Sequence, residues 1–420
     1  MSPGTRQAEP ILRLKPSSGQ SSSVGKRYDI LVIAPTSFFA DYGCHVRILE
    51  EALVLRKMGH QIRICTYYKG RDVEGLTIER TMPIPWREEY EVGSSRHKIG
   101  FDVLLSIKSL AVVLRRKPDI IHAHLHEGAL IGYPLSRLCG VPLVFDFQGS
   151  VTGEMVDHQF LNPKGPFYRP MYWLEGIIDH LPGAIITSSQ HAADLLQGEF
   201  NCRRDNIHIV PDSVNADFFT PSSDGEERLT FKTKLGIPAE RKVVAYLGLL
   251  AEYQGIPHLL RAARQVVDRR PDTHFLIMGY PNVPRYREMA DQLGLADHTT
   301  FTGKIPYEEA PRYLALGDIA VGPKLSATEG SGKLLNYMAM GLATVTFDTQ
   351  VSREYLGDWG IYAERGNVTA FAQCIESLLT DEIKARRLGQ QLRARAVEKF
   401  SWDQAGEKIL NIYETMLANK

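Results

Sequence analysis

Residues 28–66 read YDILVIAPTSFFADYGCHVRILEEALVLRKMGHQIRICT, and their order sets the expectation for the whole chain. Tyr28 to Ala34 (YDILVIA), apolar without a break from Ile30, is of strand length and suits a strand buried on both faces. Gly43 to Met58 carries apolar residues at Val46, Leu49, Leu53 and Leu55, the spacing of a helix with one face on a core. Gln61 to Thr66 then returns to a strand. A strand, a helix-length crossover and a second strand make the unit of a parallel sheet covered by helices.

The unit recurs. Ile120 to Ala123, Leu143 to Phe147, Ala184 to Ser188 and Ile207 to Pro211 read as further strands, with Pro118-Asp119 and Gly140-Val141-Pro142 as short connections ahead of two of them. The polar stretch SSDGEERLTFKTKLG, residues 222–236, reads as an irregular linker. A second series starts at Val243 (VVAYLGLL) and continues through Thr273 to Gly279, Thr299 to Gly303, Ile319 to Gly322 and Thr344 to Asp348. A chain of 420 residues exceeds what one core organises. The predicted fold class is therefore α/β, with two doubly wound, Rossmann-like domains. Trp402 to Leu417 closes the chain as an amphipathic helix, with Ile409, Leu410, Ile412, Tyr413 and Met416 at helical spacing.

Composition removes several function classes. The 49 basic residues equal the 49 acidic ones, so the chain has no global electrostatic footprint for nucleic acid, and none is expected as a partner. The five cysteines are scattered without metal-ligand or CxxC spacing, which reads as free thiols in a reducing cytoplasm. No stretch approaches the ~20 apolar residues of a membrane span. Residues 1–26, rich in Ser, Gly and Pro, are expected to be a disordered leader. Neither series has a GxGxxG after its first strand, and there is no Walker A sequence, so nicotinamide, flavin and P-loop chemistry lack support.

Ligands of open parallel sheets bind beyond the carboxyl ends of the strands, which directs attention to Thr328-Glu329-Gly330-Ser331-Gly332-Lys333-Leu334-Leu335-Asn336. The Gly-Ser-Gly turn opens a helix near Lys333, and a helix start presents unpaired N–H groups that favour a phosphate. Lys333 has the wrong sign for the first turn of a helix unless an anion sits there. Glu329 can accept hydrogen bonds from sugar hydroxyls, and Asn336 can engage a diol with both donor and acceptor. Capping by Glu329 and solvation of Asn336 account for each residue taken singly; the cluster favours a site.

At this segment EGSGKLLNYMAMGLATV resembles glycosyltransferase family 4, whose members carry EGFGxPxxEAMAxGxPVV or NKLxEYMAxGxPVV there. The resemblance extends to PTSFFADYGCHVRILEEALVLRKMGHQI, PDIIHAHLHEG, VPDSVNADFF, FTGKIPYEEAPRYLALGDIAVGPKLSATEG and FSWDQAGEKILNIYETML, in the family's order. It implies the GT-B fold: an acceptor-side domain at 27–215, a donor domain at 216–400, a cleft between them, and a helix at 401–420 crossing back to the first domain. It also implies retaining transfer from a UDP-, GDP- or ADP-linked sugar, with no cofactor or obligatory metal.

Carried over by position, the donor-binding set is Gly43, Leu249, Gln254, Gly330, Ser331, Gly332, Lys333, Leu334 and Asn336. Glu329, Gln148 and Asp146 are the candidates for contact with the reacting sugar or the acceptor hydroxyl. Three departures stand out. GLLAEYQG replaces GRLxxxKG, so that Leu249 and Gln254 stand where the family has an Arg and a Lys that hold the diphosphate. Asn336 stands for the second Glu of the motif, and Gln148 for the His of the xHG loop. A binding protein without catalysis and a nucleotide-sugar epimerase remain as alternatives.

Two further stretches have two readings each. His122, His124 and His126 alternate near a strand end; a metal site there needs a carboxylate or thiolate partner that the sequence does not place, and the plainer reading is satisfied polar residues, with no metal assigned. Ile99 to Lys117 (IGFDVLLSIKSLAVVLRRK) is an apolar helix with a cationic end. It reads as a core helix with a solvated C-terminus, or as a peripheral contact with an anionic membrane on the inner, cytoplasmic face.

Overall fold

The structure, a computed structural model, describes residues 26–40, 43–83, 98–157, 160–222, 224–326 and 330–418. The expected leader at 1–26 lies, apart from its last residue, outside them. The first sheet is formed by β1 (Asp29–Ala34), β2 (Gln61–Thr66), β3 (Thr77–Arg80), β4 (Ile120–His124), β5 (Leu143–Phe147), β6 (Ala184–Thr187) and β7 (Ile207–Ile209). The second contains β8 (Lys242–Leu247), β9 (Thr273–Met278), β10 (Thr299–Gly303), β11 (Ile319–Gly322), β12 (Thr344–Phe347) and β13 (Ile361–Ala363). Their orders are β3-β2-β1-β4-β5-β6-β7 and β10-β9-β8-β11-β12-β13, and the named strands pair in parallel.

Both sheets run outward from a central first strand and then reverse, the doubly wound order. The reversal falls between β1 and β4 in one domain and between β8 and β11 in the other. The expected two-domain α/β architecture is thereby borne out. The central strands are apolar on both faces because helices cover both: every residue of β1 is buried, as is every residue of β9. β3 and β13 lie at the sheet edges and were not anticipated. They are short and only partly buried, so neither carries an apolar run.

The segment expected to be an irregular linker is a helix, Gly225–Lys234. The Asp224 side chain accepts hydrogen bonds from the amides of Glu226 and Glu227, acidic residues fill the first turn, and Lys232 and Lys234 fill the last. Phe231 is its single large buried apolar residue, too few for an apolar period to show in sequence.

The closing helix, Trp402–Ala418, packs on the Gly43–Lys57 helix of the first domain. Gly406 makes the approach possible, since a Cβ there would come within 2.8 Å of Val54 Cγ2. Lys57 pairs with Asp403 at 2.8 Å, and the Tyr413 hydroxyl lies 2.6 Å from His122 Nδ1. The outgoing and returning crossings run side by side, with the Val214 amide donating to the Phe400 carbonyl at 2.8 Å.

Candidate active site

The loops at the carboxyl ends of both reversals face one another across a cavity of about 400 Å³. Pro35 and Thr36 after β1, Leu125 and His126 after β4, Gly248 and Leu249 after β8, and Lys324 after β11 all line it. The site therefore occupies both topological switch points.

On the second-domain wall the Gly332–Ala339 helix points its first turn into the cavity. Gly330, Ser331, Gly332, Lys333 and Asn336 line it. Ser331 precedes the helix without making a side-chain cap bond, so it does not consume the helix's own amides. Lys333 reaches across to the loop after β8: its Nζ lies 2.6 Å from Gln254 Oε1 and 3.2 Å from the Tyr246 hydroxyl, over the Tyr246 ring. Gln254 is buried, so it orients Lys333 and supplies no charge of its own. Leu249 lines the cavity beside them.

Leu334 departs from expectation. Its side chain is 1 % exposed and packs in the core, where a Cβ at Gly322 would come within 2.8 Å of it. The helix periodicity that turns Lys333 to the cavity turns its neighbour inward. Glu329 lies outside the described residues.

Two further lysines stand on this wall. Lys324 is 8 % exposed and donates to the Gly330 carbonyl at 2.9 Å, tying the strand end to the glycine turn. Lys304, after β10, lies over the Tyr280 ring. Among the described residues, the cavity lining contributed by the second domain contains Lys304, Lys324 and Lys333 and no carboxylate. The sequence offered a signal for Lys324: a lone cation two residues past a strand that ends in glycine.

The opposite wall is built on a buried ionic network. Arg47 projects from the Gly43–Lys57 helix, whose first residue, Gly43, also lines the cavity. Its guanidinium meets Asp146 at 2.9–3.2 Å, Asp212 at 2.8 Å and Glu51 at 3.0 Å. Burial opposes ionisation of Asp146, but Arg47, with His124 and His122 behind it, outweighs that and holds the carboxyl well below its usual range. Burial pushes Glu51 well above it in spite of Arg47.

Asp146 is fully buried and is not among the cavity-lining residues. It cannot touch a sugar as expected. It lies in β5 and accepts from the Gln148 amide at 2.9 Å, with His124 Nδ1 also at 2.9 Å. Gln148 itself lines the cavity, so Asp146 positions Gln148. Arg47 and Asp212 were missed by sequence reasoning. Charges at Arg47, Glu50 and Glu51 inside an apolar helical pattern were the available signal.

The three histidines separate. His122 and His124 share one face of β4, with rings stacked 4.6 Å apart; His126 begins the next helix and packs elsewhere. The carboxylates that the sequence did not place are present: Glu51 beside the first two, Glu175 and Asp179 beside the third.

The two walls meet tightly at Gly330, where a Cβ would lie 2.5 Å from Asp212 Oδ2 of the opposite side. Asp212 also accepts from the Tyr355 hydroxyl at 2.9 Å. The arrangement is a closed cleft with a cationic helix start on one side and an amide held by a buried carboxylate on the other.

Comparison with known proteins places this geometry. The family described as Glycosyltransferase Family 4 matches residues 43–218, and that described as Glycosyl transferases group 1 matches residues 227–395. The D-inositol 3-phosphate glycosyltransferase of Corynebacterium aurimucosum is 25 % identical over 308 residues, covering 70 % of this chain and 71 % of its own length. The alpha-maltose-1-phosphate synthase of Mycolicibacterium smegmatis is 25 % identical over 317 residues, covering 71 % of this chain and 79 % of its own. Among solved structures, sucrose-phosphate synthase from Thermosynechococcus elongatus superposes with a TM-score of 0.79 at 18 % identity, over 94 % of this chain and 100 % of that one. HepE of Anabaena in complex with UDP superposes with a TM-score of 0.71 at 15 % identity, over 92 % and 100 %. The two family matches span both sheets and both walls of the cleft, and the chain belongs to glycosyltransferase family 4.

Proposed function

We propose that the cleft binds a nucleotide-diphosphate sugar and transfers its sugar, with retention of configuration, to an acceptor hydroxyl. The observation that carries this reading is the second-domain wall, where three lysines and the open end of a helix converge without a carboxylate among the described residues. As the glycosidic bond breaks, the leaving diphosphate gains charge, so fixed amides and Lys333 act more strongly on the transition state than on the bound donor. The same groups supply the positive charge that a metal would otherwise bring, and no obligatory metal is assigned to the diphosphate. The UDP complex of HepE, of the same fold, fits this assignment. Glu329 is assigned to the sugar hydroxyls, and Gln148 to the reacting centre.

The acceptor side carries an apolar surface. On the Lys98–Arg115 helix, Phe101, Leu105, Val112 and Val113 are buried, while Ile99, Val103, Ile107, Leu110 and Leu114 are exposed along the other face. Lys98 and Phe101 of this helix line the cavity, while at its other end Arg115 closes the helix and Arg116 and Lys117 follow, all three exposed. No helix among the described residues is long and apolar enough to cross a membrane. A peripheral contact with anionic lipid on the cytoplasmic face, presenting the cleft to a lipid-linked acceptor, accounts for the stripe and the cations together. The five free thiols agree with a reducing compartment.

A panel of UDP-, GDP- and ADP-sugars tests the donor assignment. One donor should slowly release its nucleotide diphosphate, and product NMR should show the donor's anomeric configuration kept. Binding without release would identify a carbohydrate-binding protein, interconversion of donor sugars an epimerase, and an inverted product would remove the retaining assignment.

A further inference from the structure

At the first-domain wall, His126, which lines the cavity, meets Glu175 and Asp179 from the layer behind it, their polar ends together. Glu175 and Asp179 are one turn apart on the Tyr168–Asp179 helix and so share a face. His126 enters from the first turn of the Leu125–Cys139 helix, between the edges of the Phe145 and Phe147 rings at 5.2 and 5.3 Å. All three side chains are at least nine-tenths buried, at 5 %, 0 % and 0 % exposure.

His126 Nε2 lies 3.3 Å from Asp179 Oδ1 and 3.6 Å from Glu175 Oε1. Close as they are, the alignment is not that of hydrogen bonds. His126 Nε2, Glu175 Oε1, both carboxylate oxygens of Asp179 and the Thr152 hydroxyl are buried without a hydrogen-bond partner among the described residues. The second Glu175 oxygen is occupied, accepting from the Thr152 amide at 2.9 Å, which fixes the orientation of the first. Two buried carboxylates facing one imidazole carry more negative charge than the chain offsets, a costly arrangement unless a cation completes it.

The two distances from the imidazole nitrogen indicate which cation. In a tetrahedral site with metal–ligand bonds of about 2.0–2.2 Å, neighbouring ligand atoms stand roughly 3.3–3.6 Å apart, since the edge of a tetrahedron is about 1.6 times its centre-to-corner distance. An imidazole nitrogen with two carboxylate oxygens is a donor set suited to zinc. We propose that His126, Glu175 and Asp179 hold a zinc-class divalent ion that pins the Tyr168–Asp179 helix behind the acceptor-side wall of the cleft. With a neutral imidazole and two carboxylates the site carries no net charge. The ion is structural and separate from the diphosphate, and the proposal stands apart from the donor assignment.

The cluster of Glu51, His122 and His124 also holds unpartnered buried atoms but differs in charge: the Arg47 guanidinium stands 3.0 Å from Glu51, so a cation is already present there. At His126 the competitor is a proton: burial favours the neutral ring, but Asp179 and then Glu175 outweigh it and raise its pKa.

The full chain, treated with EDTA and titrated calorimetrically with Zn²⁺, should bind one ion at this site, with a Tm rise of about 5 °C at saturating metal. Asp179→Asn, which keeps volume and fold, should lose tenfold or more in affinity and most of that rise. X-ray absorption of the unmodified zinc-loaded chain should show nitrogen and oxygen neighbours near 2.0 Å and no sulfur. Absence of a Tm shift, equal binding by Asp179→Asn, or sulfur in the coordination shell would each overturn the site. So would nitrogen NMR showing the His126 ring doubly protonated at neutral pH and indifferent to zinc.

Discussion

Lys333 occupies the first turn of its helix, where its charge opposes the helix dipole, and the Gln254 and Tyr246 side chains that it meets are uncharged. Gln254 and Tyr246 hold it in place, and Gly248 leaves it room: a Cβ at that position would stand 2.8 Å from Nζ. A cation so placed is organised before any ligand arrives. Losing a charge-assisted hydrogen bond to phosphate costs on the order of 2–3 kcal/mol, or roughly a 30- to 150-fold loss of affinity. Lys333→Ala should therefore weaken nucleotide diphosphate binding by that factor and leave the nucleoside monophosphate nearly unaffected, as read by calorimetry. Equal effects on both ligands would mean that Lys333 only supports the fold of the loop.

At the scale of elements, the Lys98–Arg115 helix is apolar on two faces, and among the described residues only one is buried. A single long apolar stripe beside a cationic end is suited to an anionic bilayer. Vesicles containing anionic lipid should retain the chain in flotation, neutral vesicles should not, and added salt should release it. Ile107→Glu, at a position 59 % exposed, should abolish retention with little change in Tm. If the variant floats as well as the parent, this helix is not the contact.

The two domains are coupled as a whole molecule by polar contacts beside a shared apolar cluster, in which Phe39 of the first domain meets Tyr307 of the second. Arg71 pairs with Glu308 at 2.8 Å, Glu354 accepts from the amides of Gln190 and His191 at the start of a helix, and Tyr307 donates to Glu50 at 3.0 Å. Burial raises the Glu50 pKa to about 7, with the Tyr307 hydrogen bond acting the other way. Between its usual value near 4.5 and about 7, the folded chain keeps a proton that the unfolded chain releases, so this group's contribution to stability declines as pH rises through that window. Glu50→Gln keeps the shape without the charge. It should flatten that part of the pH–stability curve and gain roughly 2–3 kcal/mol at pH 8 relative to pH 4.5. Parallel curves for variant and parent would show that Glu50 does not titrate across the interface.

The sequence by itself determined the two βα series, because buried parallel strands must be apolar on both faces and their crossovers must be helix-length; the central strands of both sheets could be read directly. It also determined the glycine turn with Lys333 and Asn336, since those residues act locally, at the start of one helix. It did not reveal the Gly225–Lys234 helix, which depends on end charges and a cap instead of an apolar stripe, nor the edge strands β3 and β13. Tertiary structure alone decided what Asp146, Leu334 and the histidines do. Asp146 is 99 positions from Arg47 and fully buried against it, Leu334 turns to the core, and His126 meets carboxylates 49 and 53 positions away, contributed by another helix. Periodicity along a chain reports which way a side chain faces, but the partner it meets is fixed by the packing of elements distant in sequence, and it is the partner that sets charge, protonation and role.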